Sequence, residues 1–299
     1  MPELPDIELY IHALRGCVLG RTLESVSVAN PFLLRSVDPP LEAVFGRSLT
    51  GLRRLGKRIV LQFEGDYLLV VHLMIAGRFQ WRPSGCRIPK GRAQAAFHFS
   101  SGVLVLTEAG SKRRASLHVV HGEESLREHD RGGLEVLDCS MAEFGARLRT
   151  RSHTLKRALC DPTLISGVGN AYSDEILHAA RLSPFKLTGD LDAPEMARLF
   201  AAAKETLEVW TRRLRAQYGG SFPPKVTAFR SEMAVHGKYG KPCPDCGAPV
   251  QRIVYAESEA NYCPNCQTEG RLLKDRALSR LLKSDWPRTL EELEERRGI

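Results

Sequence analysis

The spacing of hydrophobic and polar positions changes several times along the chain, and each change indicates a different kind of element. Apolar residues recur at helical spacing from Leu4 to Leu14, and Pro5 suits a first helical turn. Beyond about residue 22 the apolar runs shorten to strand length, with turn residues between them, as far as about residue 121. The strands expected there include Ser25–Val28, Arg58–Phe63, Tyr67–His72, Ala96–Phe99, Val103–Leu106 and Ser116–His121. Many short strands with regular turns predict a β-sandwich behind a leading helix.

The pattern returns to helical spacing in the second half of the chain. Residues 122–140 are polar and predict an interdomain linker. Helices are expected within residues 141–215, at Met141–Leu148, Thr154–Leu159, Asn170–Ala180 and Pro194–Leu214. A glycine-containing turn precedes Asn170, which is a candidate helix cap. Residues 216–242 predict a loop, and Leu272–Gly298 predicts a solvated helical tail.

These patterns predict an α+β multidomain protein. We expect residues 1–130 to form the N-terminal β-sandwich and residues 131–237 to form a linker followed by a helical domain. A four-cysteine module should occupy residues 238–272, and a charged helical tail residues 273–299.

Charge and composition narrow the class of partner. The 299-residue chain carries a formal net charge of +8, which favours polyanions and, among them, nucleic acid. No run of 18 apolar residues predicts a membrane span. The first ten residues include three acidic residues and two prolines, unlike a secretory signal, so we expect a cytoplasmic protein.

Four of the eight cysteines form the strongest chemical signal in the chain. Cys243 and Cys246 form one CxxC pair, and after sixteen intervening residues Cys263 and Cys266 form another. Each pair can direct two thiolates at one ion, so the two pairs predict a tetrahedral Zn²⁺ site. Four thiolates leave no position for a catalytic water, so the single ion should be structural and contribute about 10–16 kcal/mol to folding the module. Chance pairing or redox motifs explain the spacing less well, since neither pair lies in a βαβ pattern.

The first residues suggest a nucleophile. Removal of Met1 would expose the secondary amine of Pro2, and an α-amino group has a pKa of about 8, against about 10.4 for lysine. Such an amine can attack a sugar C1′ and form an iminium, with neighbouring Glu3 acting as acid or base. Taken by themselves, these residues are explained more simply by an ordinary second residue and a helix-capping glutamate.

The order of motifs along the chain carries a resemblance. The start MPELPDIE, Lys57 in a basic strand turn, Lys156 with the segment GVGNAYSDEIL, and the four-cysteine module occur in one order. This combination resembles the formamidopyrimidine-DNA glycosylase / endonuclease VIII family over about residues 2–267. The resemblance implies a β-sandwich with a leading helix, a helix–two-turn–helix domain and a zinc-finger hairpin that together bind DNA. Members remove oxidised bases and then cut the abasic strand by β,δ-elimination.

The resemblance also implies roles for single residues. Pro2 would be the Schiff-base nucleophile, Glu3 would protonate the opening sugar, and Lys57 would hold a phosphate beside the lesion. Asn170 corresponds to the phosphate-binding asparagine at the second turn, and Lys156 is expected to bind DNA with it. Without the resemblance, Lys57 is explained more simply as a solvated surface lysine. Asn170 fits a helix hairpin without a ligand as well as it fits a phosphate-binding turn.

Members also fill the gap left by an everted base with intercalating side chains. Met74 or Ile75 can fill space here, and Arg113 or Arg114 can face the orphaned base. Ala115 stands where phenylalanine is expected, so the aromatic wedge is lost. Because unstacking a base costs a few kcal/mol, we expect a preference for bases that are already unpaired, mismatched or in single strands.

Two further departures concern substrate reading. Ser258, flanked by Glu257 and Glu259, stands where the zinc hairpin usually carries an arginine, which weakens the expected phosphate contact. The segment Gln217–Phe229 is shorter than the loop that covers 8-oxoguanine in purine-directed members, and this favours oxidised pyrimidines, ring-opened purines or bulkier adducts.

Three functional hypotheses follow. The first is a bifunctional DNA glycosylase and abasic-site lyase, expected to be a monomer in the bacterial cytoplasm and associated with the nucleoid. The second is a damage-recognition protein of the same fold that has lost base excision, and the third is an RNA- or protein-binding zinc scaffold. The joint presence of Pro2, Glu3 and Lys57 favours the first.

Overall fold

The protein divides into two compact units. The computed structural model describes residues 1–88, 91–110, 112–224, 226–227, 229–255, 258–274 and 287–297. The first unit comprises Met1–Gly132 and Val209–Ala228, and the second comprises Gly133–Glu208 and Phe229–Ile299. Within the described residues, no helix is long and apolar enough to cross a membrane.

An eight-stranded antiparallel sheet forms the body of the first unit. Its strands are β1 (Thr22–Val28), β2 (Arg47–Leu55), β3 (Arg58–Phe63), β4 (Tyr67–His72), β5 (Gly77–Arg82), β6 (Ala93–Phe99), β7 (Gly102–Glu108) and β8 (Ser116–His121). Their order across the sheet is β5-β7-β6-β1-β2-β3-β4-β8. Helix α1 (Leu4–Val18) precedes the strands, and α2 (Gly122–Arg127) follows them.

The two halves of this sheet share one core. Ile59 and Leu69 on one half and Phe97 and Leu104 on the other are buried in the same apolar cluster, together with the apolar face of α1. Register irregularities in β1 and β2 let the sheet bend between its halves. The predicted β-sandwich with a leading helix is therefore confirmed.

In the first unit, strands β2 and β5 and helix α2 were not among the elements named from the sequence. In β2 and β5 arginine and other polar residues interrupt the apolar pattern, because one face of each strand is solvated. Helix α2 lies in the polar stretch that predicted a linker, where a single buried residue, Leu126, holds it against the sheet.

Residues 209–228 belong to the first unit rather than to the helical one. Leu214 and Val226 are fully buried in the sandwich core, and Tyr218 and Phe222 pack on its margin. Burial of these apolar side chains explains why the first unit includes a segment that the sequence placed within residues 131–237.

The second unit contains the remaining helices and a hairpin. Its elements are α3 (Met141–Arg149), α4 (Leu155–Cys160), α5 (Asn170–Ala179), the first part of α6 (Ala193–Tyr218), β9 (Gln251–Tyr255), β10 (Ser258–Tyr262), α7 (Pro264–Thr268) and α8 (Leu290–Arg297). A capping box of Ser140 and Glu143 starts α3. Only α8 represents the predicted helical tail, since residues 275–286 lie outside the described residues.

Candidate active site and zinc module

Pro2 and Glu3 are buried at the start of α1. Glu3 is the N-cap residue, and its side chain accepts a hydrogen bond from the backbone N–H of Asp6. In return, the N–H of Glu3 donates to Asp6 Oδ2 at 3.0 Å. Glu3 therefore caps the helix, as the simpler interpretation of the sequence expected. The same bonds fix its carboxylate one residue from Pro2.

The environment of the amino terminus suits a neutral amine. Burial is the main cause that lowers the pKa of the Met1 amino group. The negative charges of Glu3 and Asp6 oppose this shift, whereas the positive charges of Arg78 and Lys57 lower the pKa further. A lower pKa leaves more of an amine unprotonated at neutral pH, and only the unprotonated form is nucleophilic. The sequence-predicted Glu3 and Lys57 thus both act on the amino terminus.

Lys57 occupies a tight two-residue turn between β2 and β3. Gly56 before it has a φ of +59°, a conformation that favours glycine. Arg54 donates to the carbonyl oxygen of Gly56 at 3.0 Å and pairs with Glu8 of α1 at 3.4 Å. Glu8 also pairs with Arg215 at 2.8 Å. These bonds connect the turn that carries Lys57 to the helix that carries Glu3.

The loop after β4 presents an apolar tip. Met74 has a φ of +51°, and its N–H donates to Nδ1 of His72 at 3.1 Å. The N–H of Gly77 donates to the carbonyl oxygen of Leu73 at 2.9 Å, and a Cβ at Gly77 would lie 2.2 Å from that oxygen. Ile75 is 57% exposed, whereas Met74 is half-buried. Of the two space-filling candidates, the geometry favours Ile75.

The loop before β8 is held by a buried carboxylate. Glu108, 2% exposed, accepts hydrogen bonds from the N–H groups of Arg114 at 2.9 Å and Ala115 at 3.2 Å. The side chains of Arg113 and Arg114 are exposed, and Arg113 donates to the carbonyl oxygen of Gly91 at 2.6 Å. Ala115 is buried in the sandwich core, so its position presents no wedge.

Asn170 lies at the N-terminus of α5 in the second unit. Gly167 has a φ of +76°, and Gly169 is the N-cap residue, so Asn170 is the first helical residue and not the predicted cap. The half-buried Asn170 lies at the N-terminus of a ten-residue helix, where the helix dipole attracts an anion.

Lys156 is buried, unlike the DNA-contacting side chain that the resemblance implied. Its Nζ donates to Asp174 Oδ1 at 2.5 Å, to the carbonyl oxygen of Asn170 at 2.6 Å and to Ser173 Oγ at 2.9 Å. An ammonium has three donors, and these bonds use all three. Lys156 therefore positions the start of α5.

The same helix anchors the zinc hairpin through two buried carboxylates. The second oxygen of Asp174 bonds His236 Nδ1 at 2.8 Å and accepts from Asn261 Nδ2 of β10 at 3.1 Å. Glu175 accepts from three consecutive backbone N–H groups, from Ala234 to His236, at 2.8–3.0 Å. Asp174 and Glu175 thus connect α5 to the hairpin as well as supporting the helix.

The four predicted zinc ligands converge. The Sγ atoms of Cys243, Cys246, Cys263 and Cys266 all lie within 4.8 Å of one another, with 3.9 Å between Cys243 and Cys266 and 3.4 Å between Cys246 and Cys263. Tetrahedral Zn–S bonds of about 2.3 Å require S···S separations of about 3.8 Å, so the cluster fits zinc. His178 of α5 places Nε2 3.3 Å from Cys243 Sγ.

Comparison with known proteins assigns the family. Models of the formamidopyrimidine-DNA glycosylase N-terminal domain, its H2TH domain and the zinc finger found in FPG and IleRS match residues 1–116, 135–215 and 240–268. The formamidopyrimidine-DNA glycosylase of Thermus thermophilus is 34% identical over 280 residues, covering 90% of this chain and all of that one. The chain belongs to the formamidopyrimidine-DNA glycosylase family.

Solved structures agree. The MutM (Fpg) protein of Thermus thermophilus superposes with a TM-score of 0.73 at 31% identity, covering 89% of this chain and 98% of that one. The Lactococcus lactis Fpg in complex with an abasic site containing DNA shares the fold, with a TM-score of 0.78 at 23% identity, covering 89% of this chain and 99% of that one.

Family membership settles the general activity and the metal. The chain is a DNA glycosylase of base excision repair, consistent with abasic-site lyase activity, and its zinc finger holds one structural zinc ion. The predicted family, fold class, activity and cofactor are confirmed.

Four residues at these sites were not found from the sequence. Arg78 affects the amino terminus, Asp6 fixes Glu3, Glu108 holds the loop before β8, and His178 contacts a zinc ligand. For Asp6 a signal existed, because an acidic residue three positions after a helix start is typical of a capping box. Arg78 and His178 act on segments far apart from them in sequence. Glu108 contacts the loop that follows it only six or seven residues later, but no sequence pattern indicates this contact.

Two sequence expectations concern residues outside this description. Glu257 and the side chain of Ser258 are not among the described parts of the zinc hairpin. Lys225 and Ala228, within the segment whose length suggested an open pocket, are not described either. Both expectations stay predictions.

Proposed function

We propose that this glycosylase is bifunctional and forms a Schiff base through Pro2. The observation that supports the proposal most is the buried amino terminus, where burial lowers the pKa of the amine and the fixed carboxylate of Glu3 lies beside it. Removal of Met1 would leave the secondary amine of Pro2 in the same neighbourhood. Arg78 and Lys57 keep that neighbourhood positive, which suits a phosphodiester substrate.

The proposed reaction balances with Pro2, Glu3 and water. The nitrogen lone pair of Pro2 forms a bond to C1′ of the deoxyribose, and the bond from C1′ to the base breaks as the base leaves with the proton that the Pro2 nitrogen gives up. Glu3 protonates O4′ as the sugar ring opens, which gives an iminium. The Glu3 carboxylate then takes a C2′ proton as the 3′ phosphate leaves, and loss of a C4′ proton to water expels the 5′ phosphate. Water finally hydrolyses the iminium and restores the free amine of Pro2.

DNA positioning is assigned to residues of both units. In the first unit Lys57 binds a phosphate beside the lesion, Ile75, with Met74 beneath it, fills the gap left by the base, and Arg113 or Arg114 faces the orphaned base. In the second unit Asn170 binds a phosphate at the start of α5, supported by Lys156.

The preferred substrate is a damaged base that is already poorly paired, because Ala115 is buried and offers no aromatic wedge. We further propose that the enzyme acts as a monomer in the bacterial cytoplasm, at the nucleoid, where its substrate is.

Borohydride trapping on an oligonucleotide with a single abasic site tests the chemistry. The wild-type enzyme should give a covalent adduct, Pro2→Gly should lose it, and Glu3→Gln should reduce it. Arg157→Met, which removes an exposed charge on α4, is the control and should trap normally. An undiminished adduct with Pro2→Gly would show that another amine is the nucleophile.

A damage-recognition protein without base excision is the second candidate. Glu259 in the zinc hairpin favours it, because this carboxylate lies in β10 where the resemblance expects a phosphate grip. Tight binding to a duplex with an abasic analogue, without any cleavage of damaged or abasic DNA, would support this alternative.

A further inference from the structure

A group of imidazole and guanidinium side chains lies in the first unit, beyond the catalytic residues. We name it the histidine–arginine strip, and it comprises Arg35, Arg58, His72, His118, His129 and Arg131. The reaction proposed above uses none of these six residues.

Strand register places part of the strip on the outer face of the sheet. Arg58 of β3 pairs with His72 of β4, and His118 of β8 pairs with the neighbouring Val70. His118 alternates with Leu117, whose side chain is buried in the sandwich core, so the imidazole points to the opposite face. On that face Val70 belongs to the small apolar cluster beneath α2. His72 follows Val70 by two residues along β4, so it lies on the same face.

Two loops complete the strip. His129, just after α2, brings its ring to 4.5 Å from the ring of His118, measured between centroids. The backbone N–H of Arg35 donates to the carbonyl oxygen of Leu117 at 2.9 Å, so Arg35 runs alongside β8. Arg131 follows two residues after His129 and lies within electrostatic range of Arg58 and His72.

The strip carries more positive charge than its surroundings compensate. The pKa of His118 is lowered to about 4 by burial, and then by His129, Arg58 and Arg35. The pKa of His72 is likewise lowered to about 4 by burial, followed by Arg58 and Lys57.

Acidic groups near the strip are few. Burial and Arg131 lower the pKa of Arg58, and the carboxylate that opposes this shift is Asp130. Burial and Arg58 lower the pKa of His129, and the carboxylate that opposes this shift is Glu128. On α2, Glu123 is already paired with Arg53, Glu124 is exposed, and Arg127 adds a further positive charge.

This charge distribution selects the class of ligand. Three imidazoles suggest a transition metal, but a metal cation would be repelled by the guanidinium groups of Arg35, Arg58 and Arg131. An anion is attracted by the same groups, and planar guanidinium donors match phosphate oxygens. The strip adjoins Lys57 through the turn that starts β3, which places it next to a proposed phosphate contact.

We propose that the histidine–arginine strip is a second phosphodiester-binding surface, which extends the DNA contact beyond Lys57 and takes up protons when DNA binds. The proposal rests on the proposed DNA binding at Lys57. A bound phosphate supplies the negative charge that the strip lacks, so the imidazoles become protonated in the complex. Affinity for DNA therefore increases as pH falls.

The sign and size of this linkage follow from His118. If a phosphate returns the pKa of His118 from about 4 to the ordinary value of about 6.5, binding at pH 5.5 strengthens about tenfold. At pH 7.5 the imidazole is mostly neutral in both the free and the bound protein, so DNA binding strengthens by only about 10%. The effect thus appears as pH falls below about 6.5.

Fluorescence anisotropy tests the proposal. The probe is a labelled duplex with a tetrahydrofuran abasic analogue, which the enzyme binds without cleaving, at pH 5.5 and pH 7.5 and constant ionic strength. His118→Gln should bind about tenfold more weakly than wild type at pH 5.5 and within about twofold of it at pH 7.5. His129→Gln, a second variant in the loop after α2, should also reduce this pH dependence.

His121→Gln is the matched control, because it carries the same substitution on the same strand and His121 is not part of the strip. It should keep the wild-type pH dependence. Equal pH dependence in wild type, His118→Gln and His129→Gln would overturn the proposal, provided that circular dichroism shows folded variants. Borohydride trapping at pH 7.5 with wild type and His121→Gln separates this outcome from failure of the Pro2 chemistry, because both should form the covalent adduct whether or not the strip binds DNA.

Discussion

Replacement of Lys156 by methionine should loosen the start of α5. Lys156 is 7% exposed, and its ammonium lies 2.5 Å from Asp174 Oδ1, whose own side chain is completely buried. Methionine keeps the length of the side chain but leaves Asp174 Oδ1, the carbonyl oxygen of Asn170 and Ser173 Oγ without this donor.

The structure sets the size of the effect. Removing one partner of a buried ion pair costs about 3–5 kcal/mol, because the remaining charge is uncompensated. His236 and Asn261 still contact the second oxygen of Asp174, so the lower end of that range applies. A loss of about 3 kcal/mol corresponds to about a 150-fold increase in local opening of α5.

Hydrogen–deuterium exchange read by mass spectrometry measures this opening directly. Peptides from Asn170–Ala179 should exchange about 150-fold faster in Lys156→Met than in wild type where their exchange occurs by local opening of α5. Where exchange already occurs by global unfolding, the increase in rate is smaller. Peptides from β3 in the first unit should be unchanged and serve as the internal reference. Arg157→Met is the matched control, because it removes an exposed charge from the adjacent position of α4.

Binding to abasic-analogue DNA should weaken in parallel, because Lys156 positions Asn170. Exchange of α5 within about threefold of wild type would refute the assignment of Lys156 to the interior network. Loss of DNA binding without faster exchange would instead indicate that Lys156 touches DNA directly, as the family resemblance first implied.

Four further substitutions test other parts of the account. Ile75→Ala should lower cleavage of duplex abasic DNA relative to single-stranded abasic DNA about tenfold, because about 1–2 kcal/mol of apolar contact is lost. Met74→Gly should keep wild-type thermal stability, because glycine adopts the φ of +51° without strain. Glu108→Ala should reduce the free energy of unfolding in urea by about 1–3 kcal/mol, because a buried amide loses its acceptor; no change would contradict the role of this carboxylate. His178→Phe should release zinc to a chelator about tenfold faster, as measured with a colorimetric zinc indicator, because Cys243 loses a hydrogen bond; an unchanged rate would refute this role for His178.

The sequence predicted the framework better than the contacts within it. Strands with uninterrupted apolar patterns, such as β3 and β4, were predicted with their correct bounds, since each contributes one face to a buried core. Strand β2 was missed because its arginines and other polar residues break the apolar pattern. The four cysteines were predictable because metal geometry restricts their spacing.

The remaining site residues required the fold. Lys156 was expected to bind DNA, and only the packing of α4 against α5 shows that its charge is neutralised inside the second unit. Met74 and Ile75 were both candidates for filling the gap. Met74 has a left-handed backbone conformation, and Ile75 is the residue exposed at the tip of the loop. The histidine–arginine strip joins positions from residue 35 to residue 131, which no local pattern connects.

The central claim is that the processed amino terminus attacks the sugar. Its most direct measurement is mass-spectrometric mapping of the borohydride-reduced adduct after proteolysis of the wild-type complex. We predict that the deoxyribose remnant lies on the nitrogen of Pro2 in a peptide that lacks Met1. A remnant on a lysine side chain such as Lys57, or an adduct on a chain that retains Met1, would contradict the account.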